Sequence, residues 1–282
     1  MTAAQPLTVQ SRIGDAFARA RGEGRIALVA FLTAGYPTLA ESEDLFLALV
    51  RGGADVIEIG VPFSDPIAEG RTIQRSSQVA LEQGTSLGDC LALARRLREA
   101  HGVTIPLLTM GYYNPILHYG VERFAADAAA AGIDGVIVPD LPTEESDDLA
   151  NALRANGLDF VFLLAPTSTD ARIAAVAARA SGFIYCVSLT GVTGGRSTLP
   201  DLGGYLARVR AATDLPLAIG FGISTPDHVR QVGTLADGAI VGSALIDAID
   251  AASPAERAVA AEAFVRRLAA GATIASATND KG

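Results

Sequence analysis

The segment DVIEIGVPFSDPIAEGRTIQ, Asp55 to Gln74, decides how this 282-residue chain is read. It starts as an apolar strand, Val56-Ile57-Glu58-Ile59, interrupted by one carboxylate, Glu58. Gly60, Pro62, Pro66 and Gly70 then break regular structure, and two more acids, Asp65 and Glu69, lie in the break. A buried strand that ends in a long, acid-bearing loop is an enzyme feature on an α/β scaffold, because loops at strand ends carry the chemistry. Taken singly, Glu58 reads as a satisfied structural carboxylate and Asp65 as a turn former. Taken together they favour chemistry, since a carboxylate on a buried strand is costly unless something requires it.

Outward from this segment, short β-branched runs alternate with longer Ala- and Leu-rich runs. Strands are expected at 26–32, 56–59, 105–108, 136–138, 160–164, 183–187, 217–219 and 239–241. Nearly all are continuous apolar runs, the signature of parallel strands covered on both faces. Helical patterns occupy 39–51, 87–101, 121–131, 144–156, 169–180, 203–212 and 226–233, and 243–269 supplies the last helical region. About eight β–α units in this length match a (β/α)₈ barrel. The alternative, a doubly wound open sheet, lacks a GxGxxG after its first strand. No linker or composition shift divides the chain, so residues 1–282 read as one barrel domain with a polar, frayed tail at 276–282. Residues 11–21 read as an extra N-terminal helix, with Ile13 and Phe17 on one face, able to plug the barrel bottom.

The bulk numbers narrow the function. Half of the residues are hydrophobic, and 22 basic against 31 acidic residues give a net charge of −9. Such a surface repels nucleic acid and anionic membrane. Cys90 and Cys186 lie far apart, no CxxC spacing exists and only three histidines are present. Buried free thiols in a reducing compartment are the expectation. Without a signal core or a spanning apolar run, the protein is expected to be soluble and cytoplasmic.

In a barrel, groups at the C-terminal strand ends face the active site. That rule selects Phe31 and Thr33 on the first strand, Glu58 on the second, Tyr112 and Asn114 after the third, Asp140 after the fourth and Tyr185 near the end of the sixth. The last loops are glycine-rich: Gly191-Val192-Thr193-Gly194-Gly195, Gly220-Phe221-Gly222-Ile223-Ser224 and Val241-Gly242-Ser243. Glycine lets backbone N–H groups approach an anion, and a helix N-terminus adds free donors. Phosphate binding at these loops is expected, with Ser243 as an N-cap or a phosphate ligand. The simpler reading is that the glycines only make tight turns. Arg196 reads equally as a solvated charge or a phosphate contact.

The block Glu58-Ile59-Gly60-Val61-Pro62-Phe63-Ser64-Asp65-Pro66 resembles the signature of the tryptophan synthase alpha subunit family. So do the blocks that begin at Phe31, Met110, Val138, Gly191, Gly220 and Gly242, in family order over roughly residues 28–245. The resemblance implies a (β/α)₈ barrel with an extra N-terminal helix. It implies reversible cleavage of indole-3-glycerol phosphate to indole and glyceraldehyde 3-phosphate, with no metal or organic cofactor. It also implies a pyridoxal-phosphate beta subunit as partner, in a complex of two alpha and two beta chains. By the same resemblance Glu58 is the catalytic glutamate, with a raised pKa expected from its apolar surroundings. Glu69 takes the place of an acid that stabilises positive charge on the ring N–H. Phe31 and Tyr112 flank the indole, and Tyr185 lies beside the glycerol chain; Asp140 and Thr193 complete the expected substrate pocket. Gly194, Gly222, Gly242 and Ser243 are the expected phosphate site. Leu108 and Leu164 read as ordinary barrel core.

Three positions depart from the family pattern. Glu69 stands for the usual aspartate, Arg71 for a proline and Leu189 for a frequent arginine. Thr193 keeps the loop threonine, which a longer Glu69 would meet differently. These departures keep open a weakly catalytic alpha chain that serves mainly as an allosteric activator. A free-standing lyase is a second alternative, although Asp65 and Asn114-Pro115 belong to surfaces the family uses to meet its partner. A different phosphate-binding barrel enzyme is the third, and it would share the glycine loops but not the Glu58-to-Asp65 block.

Overall fold

Eight parallel strands pair in sequence order and close on themselves through β1 and β8. They are β1 (Ala27–Thr33), β2 (Val56–Gly60), β3 (Leu107–Met110), β4 (Gly135–Ile137), β5 (Asp159–Leu164), β6 (Ile184–Val187), β7 (Leu217–Gly220) and β8 (Gly238–Val241). The computed structural model describes residues 11–188, 202–220 and 222–274. The (β/α)₈ barrel expected from the continuous apolar runs is therefore the observed fold. The expected tail at 276–282 lies outside the described residues.

The helices are α1 (Arg12–Gly22), α2 (Leu39–Gly52), α3 (Arg71–Glu82), α4 (Leu87–Glu99), α5 (Tyr113–Tyr119) and α6 (Val121–Ala130). After them come α7 (Asp147–Ala155), α8 (Asp170–Ala177), α9 (Gly203–Arg210), α10 (Pro226–Gly233), α11 (Ser243–Asp250) and α12 (Arg257–Ala269). Two of these, α3 and α5, were not expected. α3 fully buries only Ser76, Ser77 and Ala80, and its apolar Ile73 and Val79 are only partly buried, so its apolar stripe is thin. The expected helical region 243–269 is two helices, interrupted by a short 3₁₀ turn that begins at Pro254. A similar turn, Thr143–Glu145, precedes α7 and delays its start. The third strand begins two residues later than expected. Pro106 has no N–H for the ladder, and the Ile105 carbonyl accepts from Arg98 Nη1 at 2.7 Å instead.

The bottom of the barrel is closed by α1, as anticipated. Its Ser11 side chain caps the first turn by accepting from the Gly14 N–H. Ile13 and Phe17 are buried against the strand starts, and Phe17 packs on Phe183 with ring centroids 5.4 Å apart. A methyl group at Gly238 would lie 2.7 Å from the Phe17 ring, so glycine is required for this approach. Below the core, a carboxylate precedes β2, β4 and β8 and binds the first turn of the preceding strand. Asp55 accepts from Leu28 N–H, Asp134 from Leu107 N–H and Asp237 from Leu217 N–H, each at 2.9 Å. Each acid also meets an arginine: Arg25, Arg98 and Arg210. A buried charge is tolerable when paired and hydrogen-bonded in this way. Cys90 and Cys186 are buried free thiols, with pKa values pushed up to about 12 by burial. No described helix is long and apolar enough to cross a membrane.

Candidate active site

The top of the barrel gathers residues from β1, β2, β3 and the loops that follow them. Glu58 is the third residue of β2 and is fully buried, in register with Phe31 on β1 and Leu108 on β3. Neither of its carboxylate oxygens has a hydrogen-bond partner among the described residues. Burial pushes its pKa up to about 8, and the nearby Glu69 carboxylate adds to the rise. A buried acid with no partner makes no structural bond that would account for its burial, which marks it as a candidate for proton exchange.

Glu69 sits in the loop between β2 and α3, half-buried, with its pKa raised to about 7 by burial. The loop is fixed by several bonds. Glu69 N–H donates to the Pro66 carbonyl at 3.0 Å, and Gln74 Nε2 donates to the Glu69 carbonyl at 3.0 Å. Tyr112 Oη accepts the Ala68 N–H at 2.9 Å, while its ring stacks on Phe63 at 4.9 Å. Tyr112 thus wedges the loop in place, in addition to facing the pocket. Asp65 is exposed and accepts from the Ser64 hydroxyl.

An open pocket lies between these parts, with Phe31, Glu69, Ile73, Ser77, Tyr112 and Pro139 among its walls. Ile73 and Ser77 come from α3 and were missed, because α3 itself was not expected. Their spacing of four residues after Gly70 was the available signal. Two glycines make room for the aromatic walls. A Cβ at Gly60 would fall 2.5 Å from Phe31 Cζ, and one at Gly220 would fall 2.3 Å from Tyr185 Oη. Tyr185 is the second residue of β6 rather than its end, but its long side chain reaches the level of Gly220 at the end of β7. Burial pushes its phenol well above the usual range, and the Glu58 and Glu69 charges push it further. It acts as a neutral hydroxyl beside the two acids. Leu108 and Leu164 are buried in the core. Asp140 is exposed at the rim, where its carboxylate accepts the N–H of Tyr113 at the start of α5. Its neighbour Pro139, not Asp140, lines the pocket.

The glycine-rich end reaches the same pocket through Phe31. Gly242 lies so close that a Cβ there would be 3.1 Å from Phe31 Cδ1. Gly242 is the N-cap of α11, and Ser243 is its first residue, so Ser243 is not the N-cap that the sequence suggested. No side chain caps this helix. Its first-turn N–H groups and the Ser243 hydroxyl form a suitable seat for an anion. Gly222 is exposed with φ +83°, a conformation that favours glycine. Thr193, Gly194, Leu189 and Arg196 lie outside the described residues. Among the described residues, no three His, Cys, Asp or Glu side chains gather to hold a metal ion.

Comparison with known proteins agrees with this geometry. Residues 17–273 match the family model described as tryptophan synthase alpha chain. The tryptophan synthase alpha chain of Chloroflexus aurantiacus is 53% identical over 259 residues, which cover 92% of this chain and 97% of that protein. The corresponding chain of Roseiflexus castenholzii is 55% identical, covering 92% and 99%. Among solved structures, Mycobacterium tuberculosis tryptophan synthase superposes with a TM-score of 0.85 at 39% identity, covering 94% of this chain and 99% of that one. The tryptophan synthase alpha subunit of Legionella pneumophila gives 0.86 at 37%, covering 93% and 98%. The fold, the buried acid on β2 and these similarities over nearly the whole length lead to one assignment: the chain belongs to the tryptophan synthase alpha chain family.

Proposed function

We propose that this chain is the lyase that cleaves indole-3-glycerol phosphate, reversibly, to indole and glyceraldehyde 3-phosphate in tryptophan biosynthesis. The observation that carries the reading is the buried, unpartnered Glu58 beneath a pocket whose wall holds a second acid, Glu69. Cleavage requires a proton at C3 of the indole and removal of the proton from the hydroxyl on the attached glycerol carbon. Glu58, protonated near neutral pH, gives its proton to C3. The resulting carboxylate takes the hydroxyl proton as the carbon–carbon bond breaks, which restores the acid. Burial raises both acids, Glu58 to about 8 and Glu69 to about 7, which brings proton exchange at this site toward neutral pH. The Glu69 carboxylate accepts the ring N–H, which becomes positive as C3 is protonated. Phe31 and Tyr112 sandwich the indole, and Tyr185 donates to the glycerol chain. Gly222, Gly242 and Ser243, with Gly194, bind the phosphate; Thr193 belongs to the same proposed substrate site, and Asp140 acts from the rim by holding the start of α5.

A beta subunit is the partner we propose, in an assembly of two alpha and two beta chains. Exposed apolar side chains at Ile67, beside Asp65, and Leu117, three residues after Asn114, support a protein-facing surface around the pocket mouth. Indole release from indole-3-glycerol phosphate, measured with and without a beta partner, tests both parts. No release under either condition overturns the lyase reading. Release that a beta partner leaves unchanged, with no co-purification, overturns the partnership.

A further inference from the structure

We propose that Arg75, Asp247 and Asp250, which do not line the pocket, are positioning residues that hold the start of α3, and with it Glu69, against the phosphate-binding helix α11. The inference rests on the lyase reading above. α3 begins at Arg71, directly after Glu69 and Gly70, and no side chain caps it. Its fully buried residues are two serines and an alanine, and its apolar Ile73 and Val79 are only partly buried against the core, so apolar packing alone holds it incompletely.

Polar ties do the fixing. Ser76 Oγ lies 2.7 Å from Thr33 Oγ1 at the end of β1, in a buried hydroxyl pair. Thr72 Oγ1 donates to Asp247 Oδ1 at 3.2 Å. Arg75 pairs with Asp250 and lies 4.0 Å from Asp247. The Tyr36 hydroxyl, from the loop after β1, donates to the same Asp250. Thr72, Arg75 and Ser76 share one helix face, as do Asp247 and Asp250 on α11.

The arrangement is informative because α11 alone disfavours it. The helix has two acids in its C-terminal half and no basic residue in its last turn. Negative charge there opposes the helix dipole. Arg75 from α3 supplies the missing positive charge. α11 is anchored to the core through Leu245, Ile246 and Ile249, so it is the fixed member and α3 the guided one. The substrate must reach from the phosphate seat at the start of α11 to Glu69 just before α3. The strap sets that span.

Arg75 and Asp247 are half-exposed or more, and such pairs contribute little to stability. A misplacement of about 1 Å in a catalytic group, by contrast, costs up to ~10²-fold in rate. Arg75→Ala is therefore expected to lower kcat for indole-3-glycerol phosphate cleavage roughly tenfold. KM, and competitive inhibition by glycerol 3-phosphate, should stay within about twofold. Arg75→Glu and Asp250→Lys should each be impaired, and the double variant Arg75→Glu/Asp250→Lys should recover much of kcat. If a reversed variant fails to fold, Arg75→Gln, which keeps the bulk of the side chain, gives the same kcat reading. An unchanged kcat in Arg75→Ala or Arg75→Gln, or a rise in KM alone, overturns the strap while leaving the lyase reading intact. A double variant no better than the single ones overturns it too. Failure of the unmutated chain to cleave the substrate refutes the lyase reading and removes the basis of the strap with it.

Discussion

Glu58→Gln is expected to stabilise the fold at alkaline pH while nearly abolishing cleavage. Glu58 is fully buried without a hydrogen-bond partner, and its pKa is raised from the usual 4.5 to about 8. Between these values the native chain keeps a proton that the unfolded chain has lost. Stability therefore falls as pH rises through this window and levels off above the folded value. A rise from 4.5 to about 8, at about 1.4 kcal/mol per pH unit, sets a ceiling of about 5 kcal/mol on the cost. Glutamine carries no charge at any pH, so it escapes that cost. At pH 5 the variant and the parent both bury a neutral, unpartnered polar group and should differ by only about 1 kcal/mol. At pH 9 the variant should be the more stable by several kcal/mol, or roughly 10 °C in thermal midpoint for a chain of this size. Carboxylates other than Glu69, whose charge is coupled to that of Glu58, cancel in the comparison. The assay is thermal unfolding of both proteins across pH 5 to 9, beside steady-state indole release. Release should fall ~10²–10⁴-fold, the usual worth of a general acid–base group. A midpoint difference that does not change with pH would refute the argument that Glu58 is held protonated. Retained activity would remove it from the proton-transfer role.

Further tests address the other parts of the site. Gly222→Asp and Ser243→Asp place negative charge at the phosphate seat, so KM for indole-3-glycerol phosphate should rise steeply while binding of indole alone changes little; equal losses for both ligands would point to misfolding. Glu69→Asp should keep or improve cleavage and Glu69→Ala should lower it strongly, because alanine removes the charge facing the ring N–H; steady-state rates alike within a few-fold would make Glu69 a spectator. Asp55→Ala leaves the partly buried Arg25 with Glu23 alone and strands the Leu28 N–H, and should cost about 2 kcal/mol in chemical unfolding without moving KM. A loss below about 1 kcal/mol would show that the strand-start carboxylates are dispensable.

The sequence by itself determined the barrel. Continuous apolar runs at eight places, separated by helix-length segments, leave few ways to bury both faces of every strand, and parallel closure is the one observed. It also singled out Glu58, because a carboxylate inside an apolar run stands out without any coordinates. α1 was legible from Ile13 and Phe17 on one face. What the sequence could not supply was any relation between positions distant along the chain. Gly60 and Gly220 read as turn formers, yet their use is to clear space for the rings of Phe31 and Tyr185, and only the packed strands show which side chain needs the room. Ser243 looked like an N-cap from its neighbours, but helix phase gave that place to Gly242. Asp140 sat at a strand end in one dimension and at an exposed rim in three. α3 left only a thin apolar trace in Ile73 and Val79, since hydroxyls and ion pairs to β1 and α11 share in holding it. Hydrophobic periodicity is a local property and is written along the chain. Close approach and charge pairing are set only when the barrel closes and brings residues from different strands and helices together, as with Thr72 and Asp247.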